Sequence, residues 1–168
     1  MELRRPKITK AEWEDSEGKE VNKSLVGQTL KLHAETKDVG DGAGVTFTVY
    51  DKYKRGVYSV GAHVEKGIAE AEWTYQYTGE KLTEKPKFTF EVTGQRCKIL
   101  ESPEIEMGAR IRFSIVDILD NKPETYKIYL ITPDGSKEEI NLADDCSFEK
   151  DDIIPGKYII IAEKKDNE

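Results

Sequence analysis

The chain holds two histidines, His33 and His63, and two cysteines, Cys97 and Cys146. A hydrolytic triad needs a nucleophile, a base and an orienting group that converge in space. Neither Cys97, beside Arg96, nor Cys146, beside Asp145, has a histidine near it in the sequence, and no Gly-x-Ser-x-Gly elbow occurs. Zinc bound by His and Cys normally uses close pairs such as Cys-x2-Cys or His-x3-His. That spacing is absent. The acids Asp144, Asp145, Glu149, Asp151 and Asp152 offer the hard oxygens that calcium favours, but without the spaced Asp/Asn-Gly loop. With 33 acids in the chain, no carboxylate pair stands out as a glycosidase pair. No catalytic residue, no metal site and no cofactor is expected. Two cysteines are too few for a disulfide framework. Two reduced thiols are expected, the alternative being a single staple of the second half should the chain be exported.

Charged residues make up 35% of the 168 residues and hydrophobic ones 37%. They are interspersed, as in a folded, highly charged-surface protein. Residues 1–96 carry 16 Lys/Arg and 16 Asp/Glu, whereas residues 97–168 carry 10 and 17, so the whole net charge of −7 sits in the second half. Neither half presents the basic surface that binding nucleic acid requires, and an acidic half is repelled by anionic membranes. No apolar run reaches membrane-spanning length, and the start, MELRRPKITKAEW, has no apolar stretch after its basic residues. The expectation is a cytoplasmic chain as written, or one delivered outside as part of a larger assembly.

What must position any site is β-structure. QTLKLHAET (28–36) places Leu30, Leu32 and Ala34 on one face and Lys31, His33 and Glu35 on the other. GVTFTVYD (44–51) and PKFTFEVT (86–93) alternate in the same way, through Val45, Phe47 and Val49 and through Phe88, Phe90 and Val92. ARIRFSIV (109–116), a hairpin over 125–142 turning at Pro-Asp-Gly, and PGKYIIIAEK (155–164) continue the style. SPEIEMGA reads as loop. VGQTLKL matches MGARIRF at an offset of 81 residues, and the same offset carries Val45, Phe47 and Val49 onto Tyr126, Ile128 and Leu130. PKFTFEV matches GKYIIIA at an offset of about 70. The expected fold is all-β, two tandem immunoglobulin-like antiparallel β-sandwiches, 1–96 and a shorter, acidic 97–168. The second copy lacks a visible counterpart to AEAEWTYQY and reads as one strand short, a place where a partner could add one.

Ala69, Ala71, Trp73, Tyr75 and Tyr77 share one parity, as an inward sandwich face requires. They are expected in the core, as is Trp13, with an exposed aromatic platform as the alternative. His63 is expected on the outer face. The candidate binding residues are Tyr50, Tyr53, Lys54, Arg55 and Tyr58 in VYDKYKRGVYSVG, because tyrosine with Lys/Arg on a hairpin tip is the composition that interfaces favour.

The run ITKAEW, VGQTLKLHAET, DGAGVTFTVYD, VEKGIAEAEWTYQY and PKFTFEV, over about residues 7–93, resembles a bacterial immunoglobulin-like accessory module. Such modules are associated with type VI secretion spikes, phage-tail-like injection machinery and peptidoglycan-associated proteins. The resemblance implies a spacer or adaptor without catalytic residues. The expected function is a non-enzymatic structural or adaptor module with a protein partner. The alternative is a carbohydrate or cell-wall binding module, with a cell-wall glycan as ligand.

Overall fold

The structure, a computed structural model, describes residues 4–116 and 126–165. The described residues are all-β, and their strands pair antiparallel into sheets that pack as sandwiches. Contacts divide them into two compact units. The first takes in the residues through Gln76 together with Pro86–Met107; the second comprises Tyr77–Lys85 and the residues from Gly108 onward. Residues 97–107, expected with the second half, thus pack with the first unit.

In the first unit, β1 (Lys7–Glu14), β3 (Thr29–Lys37) and β6 (Ile68–Thr74) form one sheet in the order β1-β3-β6. The short β2 (Lys23–Leu25) precedes β3. The facing sheet has the order β7-β4-β5, from β4 (Gly44–Asp51), β5 (Gly56–His63) and β7 (Lys87–Gly94), with β8 (Leu100–Glu101) on β7. The alternation seen in the sequence is the inside–outside alternation of these strands. Leu30, Leu32, Ala34, Val45, Phe47, Val49, Phe88, Phe90 and Val92 all lie in one buried core. Trp13 closes it, edge-on to Phe90 at 4.8 Å, and its indole N–H donates to the Pro103 carbonyl at 2.8 Å. Trp73 stands edge-on to Phe88 at 4.9 Å. In the stripe, Ala69 and Trp73 are therefore buried in the core and Ala71 and Tyr75 pack against it, whereas Tyr77 belongs to the second unit.

The second unit contains β10 (Tyr126–Ile131), β11 (Lys137–Ile140) and β13 (Ile159–Lys164) in the order β11-β10-β13, and β12 (Ser147–Ile153) paired with residues 109–114 of β9 (Ile105–Ser114). Thr125, at the start of the expected strand, lies outside the described residues. Ile128, Leu130 and Ile140 are the buried apolar centre, and the partly buried Phe113 and Phe148, tilted against each other at 5.4 Å, pack on it. A buried large apolar side chain contributes about 1.5–3 kcal/mol, so the first unit holds most of the hydrophobic stabilisation.

The internal repeat appears in the pairing itself. β3 pairs β6 as β9 pairs β12, β4 pairs β5 as β10 pairs β11, and β4 pairs β7 as β10 pairs β13. This corrects two expectations. The second copy does have a counterpart to AEAEWTYQY, namely β12; its charge, SFEKDDI, hid it. The counterpart missing among the described residues of the second unit is that of β1. SPEIEMGA is not all loop either, because β9 begins at Ile105, and Ile105 and Met107 alternate into the first core. Pro103 precedes the strand, where its missing N–H does no harm.

Candidate functional site

The β4–β5 hairpin carries the five candidate binding residues. The turn is built around Asp51, whose Oδ1 accepts from the backbone N–H groups of Tyr53 (2.9 Å) and Arg55 (3.0 Å), an Asx arrangement. Lys54 adopts a left-handed conformation with φ 62°. Its Nζ donates to Glu101 Oε1 at 2.9 Å, and Arg55 Nε to Asp51 Oδ2 at 2.9 Å. Tyr53 is 66% exposed, with Lys52 Nζ 5.0 Å and Arg55 Cζ 5.1 Å from its ring centroid.

A register shift sits between Val49 and Tyr50, so that Val49 opposes Tyr58 and Tyr50 opposes Gly56. Directly opposed residues share a face. Tyr58 therefore lies on the face of buried Val49, at its exposed end, and Tyr50 on the other. The bulge thus puts the two candidate tyrosines on opposite faces of the hairpin. The tip presents Tyr53, Lys54 and Arg55, with Val57 and Tyr58 exposed on β5, the edge strand of its sheet.

A second constellation was not foreseen. On the outward face of the β1-β3-β6 sheet, Glu12 opposes His33, which opposes Glu70; Glu14 opposes Lys31, which opposes Glu72. His33 Nδ1 is 3.0 Å from Glu70 Oε2 and 3.6 Å from Glu14 Oε1, and its Nε2 is 3.4 Å from Glu35 Oε2. Lys10 Nζ lies 3.4 Å from Glu12 Oε1 and 3.6 Å from Glu35 Oε2, and Lys31 Nζ 3.7 Å from Glu70 Oε2. Although the face points away from the core, Glu12 and Glu14 are buried, and so is His33.

Burial acts against ionisation here, but neighbours decide the outcome. It lowers His33, yet the hydrogen bond to Glu70 and the charge of Glu14 outweigh it and hold the imidazole above its ordinary value. Burial and the hydrogen bond with Glu12 raise Glu14. Burial also pushes Glu12 up, but hydrogen bonds with Glu14 and Lys10 bring it below its usual range. The paired carboxyls are thus pushed in opposite directions, Glu14 up and Glu12 down. Every group that holds His33 is a carboxylate, an arrangement suited to binding a cation rather than to activating a nucleophile.

The remaining candidates are placed plainly. His63 is exposed, with Nδ1 3.2 Å from the Gly42 carbonyl. Cys97 belongs to the first unit and Cys146, buried, to the second. Of the acids in 144–152, Asp151 is engaged by Arg110 Nε at 2.6 Å, Glu149 by Arg112 Nε at 3.2 Å, Asp145 by the Ser147 N–H at 3.1 Å and Asp152 by Lys85 Nζ at 3.1 Å. The signal that could have found the His33 cluster is the pair of acid doublets, Glu12/Glu14 and Glu70/Glu72, each spaced by two on an outward strand face.

No family model and no curated protein matches the sequence. Among solved structures, a Mobiluncus mulieris adhesin containing intramolecular disulfide, isopeptide and ester bond cross-links is similar over 95% of this chain and 81% of its own, at 12% identity and a TM-score of 0.45. The β-glucuronidase of Bifidobacterium dentium complexed with coumarin-3-O-glucuronide is similar over 66% of this chain, at 12% identity and a TM-score of 0.44, and this chain spans 19% of that enzyme. Trypsin-activated alpha-2-macroglobulin from Escherichia coli is similar over 84% of this chain and 13% of its own, at 8% identity and a TM-score of 0.43. Likenesses this distant assign neither a family nor a function.

Proposed function

We propose that the chain is a non-enzymatic structural or adaptor module that binds a protein partner through the end of the β4–β5 hairpin. The observation that carries this reading is Tyr53: exposed, flanked by Lys52 and Arg55, and mounted on a turn fixed by Asp51. An aromatic ring with an adjacent guanidinium on a pre-ordered turn loses little conformational freedom on binding, which is why such residues dominate interface energetics. Edge strand β5 continues from the tip and offers main-chain groups for an added strand. A place in a bacterial secretion or phage-tail-like apparatus, as spacer or cargo adaptor, extends this proposal on the strength of the sequence resemblance.

The test is affinity capture from lysate of the source organism with the full chain as bait, beside a Tyr53→Ala, Arg55→Ala bait of unchanged circular dichroism. Reproducible enrichment of a protein by the first bait and its loss with the second supports the reading. Retention of the bait on isolated cell wall with no protein captured, or enrichment indifferent to the two substitutions, overturns it.

A further inference from the structure

The cluster around His33 holds a buried polar atom without a partner among the described residues. Glu12 is 6% exposed, its carboxyl is hydrogen-bonded to that of Glu14, and its Oε2 has no hydrogen-bond partner among the described residues. A buried carboxylate oxygen without a donor is costly. One donor atom from each of Glu12, Glu14 and His33 lies within 4.8 Å of the others. We propose that these three residues bind one divalent transition-metal ion of the zinc class, which clamps strand β1 to strand β3.

The donor set selects the class of ion. Calcium and magnesium take oxygen ligands, whereas a mixed set of one imidazole nitrogen and two carboxylates suits zinc and its neighbours in the first transition row. Around His33, five carboxylates, Glu12, Glu14, Glu35, Glu70 and Glu72, share this face with the ammonium groups of Lys10 and Lys31, while Lys7 and Lys37 stand at the far end of the β1–β3 ladder. A doubly charged ion offsets that excess. Lys10, the cation nearest Glu12, is half exposed and free to swing into water when the ion enters.

The imidazole is already oriented for the task. Its Nδ1 faces Glu14 and Glu70, while its Nε2 lies against Glu35 Oε2 at 3.4 Å. A ring that donates one N–H to a carboxylate and turns the other nitrogen to a metal is the usual support of a histidine ligand. Zinc holds N and O ligands at about 2.0–2.2 Å, so the donors must draw closer than they now stand. Rotation of the Glu12 and Glu14 side chains supplies this, since the ladder already fixes the three Cα positions. Glu70 then exchanges its hydrogen bond with Nδ1 for the fourth position or for a metal-bound water. Burial of all three ligands makes the ion a structural clamp rather than a catalytic centre.

The experiment is a titration of chelator-stripped full chain with zinc, read by competition with a chromophoric chelator, and with cobalt, read by its visible absorption. The expected result is one zinc per chain, a melting temperature raised by zinc, and cobalt bands of low-symmetry four- or five-coordination. Glu12→Gln, an isosteric change, is expected to abolish stoichiometric uptake, and His33→Asn to do the same. Glu35→Gln is expected to weaken it by about 10–100-fold. A variant combining His63→Gln, Cys97→Ser and Cys146→Ser is expected to bind as the unaltered chain does. No stoichiometric uptake of zinc or cobalt by the unaltered chain overturns the proposal. Uptake that survives both Glu12→Gln and His33→Asn, or that fails in the triple variant, overturns it equally.

Discussion

Glu12 stands directly opposite His33 in the β1–β3 ladder, and both side chains are buried on the face that turns away from the core. In metal-free protein this arrangement leaves Glu12 Oε2 without a donor. A neutral amide relieves both difficulties, because it carries no charge and donates an N–H to Glu14. The Lys10–Glu12 ion pair that is lost involves a half-exposed lysine and is worth little. Glu12→Gln in the presence of chelator is therefore expected to raise unfolding stability by about 1 kcal/mol, measured by urea titration. A loss of that size would show that the carboxylate is already satisfied.

Both tryptophans are buried, Trp13 at 1% and Trp73 at 8% exposure. Their emission is expected to be blue-shifted and only weakly quenched by iodide. Trp13→Phe removes the N–H that the Pro103 carbonyl accepts and leaves a gap against Phe90. It is expected to cost about 2 kcal/mol in urea unfolding. Ready quenching of either indole would return it to the role of an exposed platform, which the sequence left open.

The strands of the first unit were legible because Leu30–Leu32–Ala34, Val45–Phe47–Val49 and Phe88–Phe90–Val92 each alternate with polar residues, and burial follows that parity. Strand identity in the second unit was legible only where apolar residues carry it. β12 was missed because Arg110 and Arg112 neutralise its acids across the ladder, a relation that appears only once the strands are paired. The same holds for the His33 cluster. Apart from Glu35 on β3 itself, its carboxylates come from β1 and β6, and register, which a single sequence does not state, brings them beside His33. At the hairpin tip the residue types were legible, but the bulge that sends Tyr50 and Tyr58 to opposite faces was not.

In the second unit, β12 bends past β9 at a register shift between Lys150 and Ile153. Asp152, with φ 59°, lies there against Gly108, where an added Cβ would stand 2.9 Å from both the Asp152 Cα and its Oδ1. Backbone cannot yield as a flexible side chain does. Gly108→Ala is expected to destabilise by about 1–3 kcal/mol and to accelerate amide exchange in Lys150–Ile153. Unchanged exchange in that segment would mean that the two strands separate there at little cost.

Asp51 sets the conformation of the proposed contact site, and its ionisation sets when that conformation persists. Burial alone would raise its carboxyl. The backbone N–H and guanidinium of Arg55 and the N–H of Tyr53 prevail and hold it below 3.8. A carboxyl lowered in the folded state contributes stability that is fully present above its unfolded value and is lost as pH falls through the folded one. The hairpin is therefore expected to keep its order through the ordinary carboxylate range and to loosen only as pH falls through the lowered value. Carbon-13 NMR of the Asp51 carboxyl reads the titration, and the Tyr53 and Arg55 amide shifts should move with it. Asp51→Ala is expected to cost about 1 kcal/mol at neutral pH and to abolish that coupled movement. If the two amides titrate unchanged in Asp51→Ala, the turn is held by something other than this carboxylate, and the pre-ordering of Tyr53 must be sought elsewhere.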